Sequence, residues 1–295
     1  MSRIIEFSHN GPQLNLTKRS KKNGTAYRFI DTENGVRFWN SEPTHFRKFL
    51  SNSGRFLRSL GANDEKGDLL FWGEWEPQSG FTLTGLSGKL KPNAIHEPFI
   101  SMKGEGVHNT DPFVFGADFY YSNCKQKRNH MNILSEGDLI LFGTEYDEGF
   151  ALDTVFIVKE GISAPEYLIT PSQYPLILRQ ATLDLDERYQ TNPDLRLYTG
   201  LMHSKNPKGP FCFIPCKLKS DGPFGRPLLD YKKFNLQSPG ARTVLTDIHH
   251  DSVSRFWFDL VKELTDNGYY LGIQTDIPPT KDNISFPVTK KRKGC

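Results

Sequence analysis

The chain has 295 residues, a formal net charge of +3, 37% hydrophobic and 13% aromatic residues, and is rich in Phe (22), Tyr (11), Gly (25) and Pro (19). The charge excludes a histone-like protein that coats polyanions, and the aromatics and turn formers favour many short strands over long helices. No run approaches the ~18 apolar residues of a membrane span and the first residues lack a secretory core, so a soluble, cytoplasmic protein with no membrane partner is expected.

Arg3 to Phe7 is predicted to open the chain as a strand, and Tyr27 to Ile30 with Val36 to Trp39 to form a hairpin about the turn residues Asp31 to Gly35. Ser41-Glu42-Pro43 reads as a helix start. At 100° per residue the following Phe46, Phe49, Leu50, Phe56, Leu57 and Leu60 share one arc, with Arg47, Lys48, Arg55 and Arg58 opposite, which predicts an amphipathic helix over 43–60. Such a basic face would suit phosphate. Gly67 to Trp75 and Phe81 to Leu86 are predicted as paired strands, and Lys89 to Met102 as a loop broken by Pro92 and Pro98. Leu139 to Phe142 and Ala151 to Val158 are further strands. In the second half, Tyr174 to Tyr189 carries a broken helical pattern, and Leu195 to Leu201 and Pro210 to Leu218 read as strands. The clearest helix is 252–267, where Val253, Phe256, Trp257, Leu260, Val261 and Leu264 fall at helical spacing before the stop Gly268. It is expected to pack on a sheet containing Tyr269 to Ile273. The basic tail, 287–295, is expected to be disordered.

The runs Gly67-Asp68-Leu69-Leu70-Phe71-Trp72-Gly73 and Gly137-Asp138-Leu139-Ile140-Leu141-Phe142-Gly143 are near repeats. Each Gly-Asp is predicted to be a tight turn, with the Asp accepting backbone hydrogen bonds, that feeds a buried strand. Between them lies the densest concentration of functional side chains, residues 108–128. Its N-terminal part through Pro112 reads as a turn and Phe113 to Tyr121 as extended chain.

A Gly-Asp turn running into an apolar strand, followed by a strand such as Leu152 to Val158, resembles the small barrels of the PUA-like superfamily (PUA, ASCH, EVE and YTH domains). The order of a Gly-Asp-Leu strand with Trp, then a His- and Asn-rich segment ending in Tyr, is also similar to nucleotide-modification-associated domains. The resemblance covers about residues 60–160. It implies a β-barrel that binds RNA or a modified base in an aromatic-lined pocket. The predicted fold is therefore α+β and β-rich: a PUA-like small barrel over 1–162, with the helix at 43–60, and an appended α/β lobe over 163–286.

A base site needs ring faces for stacking and polar groups that read edges. Trp72, Trp75, Tyr120 and Tyr121 offer faces, Asn109, Asp111 and Asn123 offer edges, and Lys125 and Arg128, with Arg47, Lys48, Arg55 and Arg58, offer phosphate contacts. Trp72 and Trp75 point to opposite faces of a strand, so one at most lines a given pocket. A hydrolase or nuclease would draw on His108 and Asp111, with Asp118, or on Asp247, His249, His250 and Asp251. None of these has metal-ligand spacing, so no metal and no cofactor is expected. A third reading is a protein-interaction module whose aromatics only build the core. Cys212 and Cys216 lie in extended chain, about 13 Å apart, beyond the ~7 Å reach of a disulfide, and are expected to be buried thiols. The leading expectation is a partner that is a nucleic acid or a nucleotide.

Overall fold

The computed structural model describes residues 2–8, 13, 21–22, 25–26, 29–31, 37–39, 47–101, 110–122, 124, 126, 131–183, 194–236, 244–248 and 250–281. In chain order the strands are Ser2–Ser8 (β1), Lys21–Lys22 (β2), Thr25–Ala26 (β3), Phe29–Asp31 (β4), Arg37–Trp39 (β5), Arg47–Leu57 (β6), Glu65–Glu74 (β7), Ser79–Leu83 (β8), Ala94–Pro98 (β9) and Ile100–Ser101 (β10). There follow Tyr120–Tyr121 (β11), Leu139–Tyr146 (β12), Gly149–Ser163 (β13), Arg196–Gly200 (β14), Ile214–Leu218 (β15), Leu228–Leu229 (β16), Val244–Ile248 (β17), Tyr270–Thr275 (β18) and Thr280–Lys281 (β19). The helices are Ala164–Ile169 (α1), Leu176–Leu178 (α2), which runs into a π-type turn at Arg179–Leu183, and His250–Asp266 (α3).

Two large sheets make this a β-rich α+β fold. In the first, ordered β18-β15-β7-β6-β9-β8-β5-β4, a further pairing of β18 with β6 closes β6, β7, β15 and β18 into a four-stranded barrel. The second runs β11-β14-β13-β12-β1-β17, with β16 on β13. Backbone hydrogen bonds between Val155 and Phe213 join them, since Phe213 leads into β15 and Val155 lies in β13. One apolar core spans both sheets, from Ile5 and Phe142 to Phe71, Ile214 and Leu271. The sheets therefore do not divide the chain at residue 162: β13 crosses that position, and each sheet takes strands from both sides of it.

The predicted helix over 43–60 is a strand over Arg47–Leu57, and 43–46 lie outside the described residues. Its apolar positions suit a helical arc, but the strand is flanked on both sides, by β7 along its length and by β9 and then β18 on its other edge. Ladder bonds on two edges and burial on two faces outweigh local propensity. Gly54 permits the closure. A Cβ there would stand 2.3 Å from the Gln274 carbonyl oxygen of β18, so only glycine allows the approach.

Strands β7 and β8 exist but do not pair: β7 lies between β6 and β15, and β8 between β5 and β9. The segment read as a loop, 89–102, supplies β9 and β10; Pro98 tolerates this as the last residue of its strand. The two Gly-Asp runs diverge. Asp138, fully buried, accepts from the backbone N–H groups of Arg3 and Ser135, each at 2.8 Å, as a turn Asp should, and Gly137 has φ 84°. Gly67 and Asp68 instead lie within β7, where Asp68 accepts from the Ser53 hydroxyl at 2.6 Å. Helix α3 buries Val253, Trp257, Leu260, Val261 and Leu264, with the Trp257 indole N–H donated to the Phe211 carbonyl at 3.0 Å. Its periodicity was sufficient because a single apolar face meets the core, against β1 and β18.

Candidate functional site

Within residues 108–128, His108, Asn109, Asn123, Lys125 and Arg128 lie outside the described residues, as does the tail 287–295. Asp111 is 1% exposed and precedes a cis peptide bond to Pro112. Its carboxylate accepts the backbone N–H groups of Ser122 (2.9 Å) and Cys124 (2.7 Å), so it ties the loop together and presents no edge to a ligand. Tyr121 is core: it stacks on Tyr198 at 5.7 Å and donates its hydroxyl to the Cys124 carbonyl at 2.6 Å. Trp72 lies in β7 and Trp75 just past its end, and the two side chains pack in different clusters, both buried. Trp72 packs with Phe49 and Leu70, whereas Trp75 enters the main core and donates its N–H to Gln78 O at 2.8 Å. Neither lines a pocket described here. Cys124, Cys212 and Cys216 are buried thiols, and burial raises the pKa of each.

The four predicted phosphate contacts do not form a common face. Arg55 pairs with Asp64 at 2.6 Å, and Arg58 pairs with Glu65 at 2.7 Å while lying over the Tyr270 ring. Arg47 and Lys48 are 1% and 3% exposed. Arg47 pairs with Glu74 (3.2 Å) and Asp153 (3.0 Å), and Asp153 is also held by Arg226, with Nε and Nη2 at 3.0 and 2.8 Å. Arg226 further donates to the Thr144 hydroxyl at 2.9 Å and rests over the Trp72 ring. Lys48, on the other face of β6, donates to Pro77 O at 3.4 Å; burial lowers its pKa to about 7 against the pull of Glu76 and Glu74. His96 is likewise kept neutral by burial and by Lys48, and shares a 2.9 Å hydrogen bond with the Ser79 hydroxyl. This network clamps β6 and β7 to β13 and to the segment before β16. Buried charges require such partners, and their sum is a locking device more than a gain in stability.

An open hollow of about 250 Å³ lies at the β11 edge of the second sheet, lined by Asp118, Tyr120, Lys159, Glu160, Ile162, Gln173, Tyr174 and Thr199. Strand register builds it. Tyr120 sits opposite Thr199, and Thr199 opposite Glu160, so one row of side chains crosses β11, β14 and β13. The next row, Tyr121, Tyr198 and Gly161, must face the opposite side. There the two tyrosines stack in the core, and a Cβ on Gly161 would meet Tyr198 Cε1 at 2.7 Å. A register shift between Val158 and Glu160 interrupts the regular ladder beside Lys159. The turn after α1 supplies Gln173 and Tyr174, whose ring meets that of Tyr120 edge-on at 6.4 Å.

The electrostatics of the hollow are acidic. Lys159 is bound to Glu160 at 2.9 Å, and Thr199 donates to the same carboxylate at 3.2 Å. Burial, then Asp118, raises the Tyr120 pKa; burial, then Glu166 and Glu160, raises that of Tyr174. Both hydroxyls stay protonated at neutral pH. Among the described residues no group of His, Cys, Asp and Glu could hold a metal ion; the side chains of Asp247, His250 and Asp251, and all of His249, lie outside them.

Of the expected site residues that are described, Tyr120 and Asp118, the latter named for a hydrolase, line the hollow. The reading of residues missed Gln173, Tyr174 and Thr199, which the sequence offers as ordinary turn and strand residues and only register assembles. It also missed Glu74, Glu76, Asp153 and Arg226. A signal for these was present: acids embedded in the apolar strands Trp72-Gly73-Glu74-Trp75-Glu76 and Phe150-Ala151-Leu152-Asp153-Thr154-Val155 demand buried cations. No family model, no curated protein and no solved structure matches the chain.

Proposed function

We propose that this protein binds a nucleobase, as a nucleoside or as a modified base of a nucleic acid, in the hollow at the β11 edge. The observation that carries the reading is the meeting of two tyrosine rings, Tyr120 and Tyr174, with an amide, a hydroxyl and carboxylates on one open surface. Rings supply stacking and cost little conformational entropy, and Gln173, Thr199 and Asp118 supply the donors and acceptors that distinguish base edges. A volume of about 250 Å³ suits a base and part of its sugar, because pockets for drug-sized ligands start near 300 Å³. The engagement of Arg47, Arg55 and Arg58 with carboxylates favours recognition of the base over recognition of the phosphate chain.

The test is isothermal titration calorimetry of the full chain with a panel of nucleosides and with single-stranded DNA and RNA oligonucleotides at two salt concentrations. Saturable binding is expected, weakened roughly tenfold or more by Tyr174→Ala, since stacking on a ring contributes about 1–3 kcal/mol per base. Weak dependence on salt is expected of a site with no unpaired cation among its described lining residues. Failure of every nucleoside and oligonucleotide to bind overturns the reading.

A further inference from the structure

We infer that the base this hollow selects is a positively charged one, a nucleobase alkylated on a ring nitrogen. The inference rests on the base-binding reading and adds to it the charge of the ligand. Asp118 and Glu160 stand at the rim, and Lys159, the one lysine of the lining among the described residues, is already taken by Glu160 at 2.9 Å. Asp118 has no ion-pair or hydrogen-bond partner among the described residues, and it acts electrostatically on Tyr120. Tyr120 is 7% exposed and lines the hollow, yet neither its hydroxyl nor that of Tyr174 forms a hydrogen bond among the described residues. A tyrosine hydroxyl without a partner among the described residues, beside an unpaired carboxylate and two rings, is a site that lacks its own counter-charge.

A phosphate would meet repulsion from both carboxylates, and a neutral base would strip water from Asp118 without replacing its charge interaction. A cationic heterocycle answers every element at once. Its delocalised charge is attracted to the tyrosine rings, the acids balance it, and its plane stacks. Alkylation of a ring nitrogen adds the charge and one methyl group and removes that nitrogen's acceptor lone pair, so the Asp118→Asn variant is what separates the charge from the change of shape.

The experiment is calorimetric titration of the full chain at pH 7 with two pairs, 1-methyladenosine against adenosine and 3-methylcytidine against cytidine, the methylated member of each being cationic. The methylated nucleosides are expected to bind roughly tenfold tighter than their parents. In the Asp118→Asn variant the preference of each methylated nucleoside over its parent should fall to within about twofold. Asp118 is exposed, so thermal melting of the variant serves as the check that it is folded. Equal affinity within each pair overturns the charge inference and leaves base binding standing. No binding of any of the four overturns the base-binding reading itself.

Discussion

Replacing Lys48 by Met tests the buried network through its protons. Lys48 is 3% exposed, and burial lowers its pKa to about 7 from an ordinary 10.5. Below pH 7 the amine is charged in the folded and unfolded states alike, and the fold bears the full desolvation cost. Between pH 7 and the unfolded value the folded protein has released this proton while the unfolded chain retains it. Raising the pH therefore favours folding, with a slope approaching 1.4 kcal/mol per pH unit. From pH 7 to pH 9 the wild type should gain about 2 kcal/mol over the Lys48→Met variant, whose position 48 does not titrate. Urea unfolding of both proteins at pH 7, 8 and 9 measures the difference. The window lies above the His range, so His96, neutral throughout, does not contribute. Parallel stability profiles for the two proteins would refute the burial of a titrating amine at this position.

Asp153→Asn removes the carboxylate shared by Arg47 and Arg226; it should destabilise the protein by about 3–5 kcal/mol, read as a melting temperature lower by roughly 10 °C, and a drop under about 2 °C would show that the two arginines find other partners. Gly54→Ala places a Cβ 2.3 Å from Gln274 O and should open the barrel at the β6–β18 seam, with loss of amide protection in hydrogen exchange along Tyr270–Thr275. Unchanged protection there would mean that the seam accommodates a methyl group. Gly161→Ala should destabilise by about 1–3 kcal/mol, because its Cβ would press on the Tyr198 ring that stacks on Tyr121; thermal melting reads this. Trp72→Phe should leave nucleoside affinity within about twofold, since Trp72 lies in the Phe49 and Leu70 cluster away from the hollow; a larger loss would move the site to the barrel.

Much of the strand content was legible in residue pattern. The β12–β13 hairpin, the β4–β5 hairpin, β1 and helix α3 could each be read from short-range periodicity, because each is defined by which of its own positions face a core. Strand β6 could not be so read. Its eleven residues carry an arc of apolar side chains compatible with a helix, and although β7 follows it directly, the strands on its other edge lie farther off, β18 by more than 200 residues. The same limit applies to the candidate site. Tyr120 was visible as an aromatic among polar residues, but Thr199 and Glu160 become its neighbours only through pairing register, and Tyr174 through a turn.

By itself the sequence determined the balance of strand over helix, the amphipathic face of α3 and the buried state of Cys212 and Cys216. These follow from composition and from the alternation of side chains along one element. Tertiary structure decided the rest: the closure of the barrel, the core shared by the two sheets, the burial of Arg47 and Lys48, and the choice of Tyr120 over Tyr121 as the ring that lines the hollow. Each depends on long-range backbone pairing, and a shift of one residue in that register would exchange which side chains meet the core and which meet a ligand.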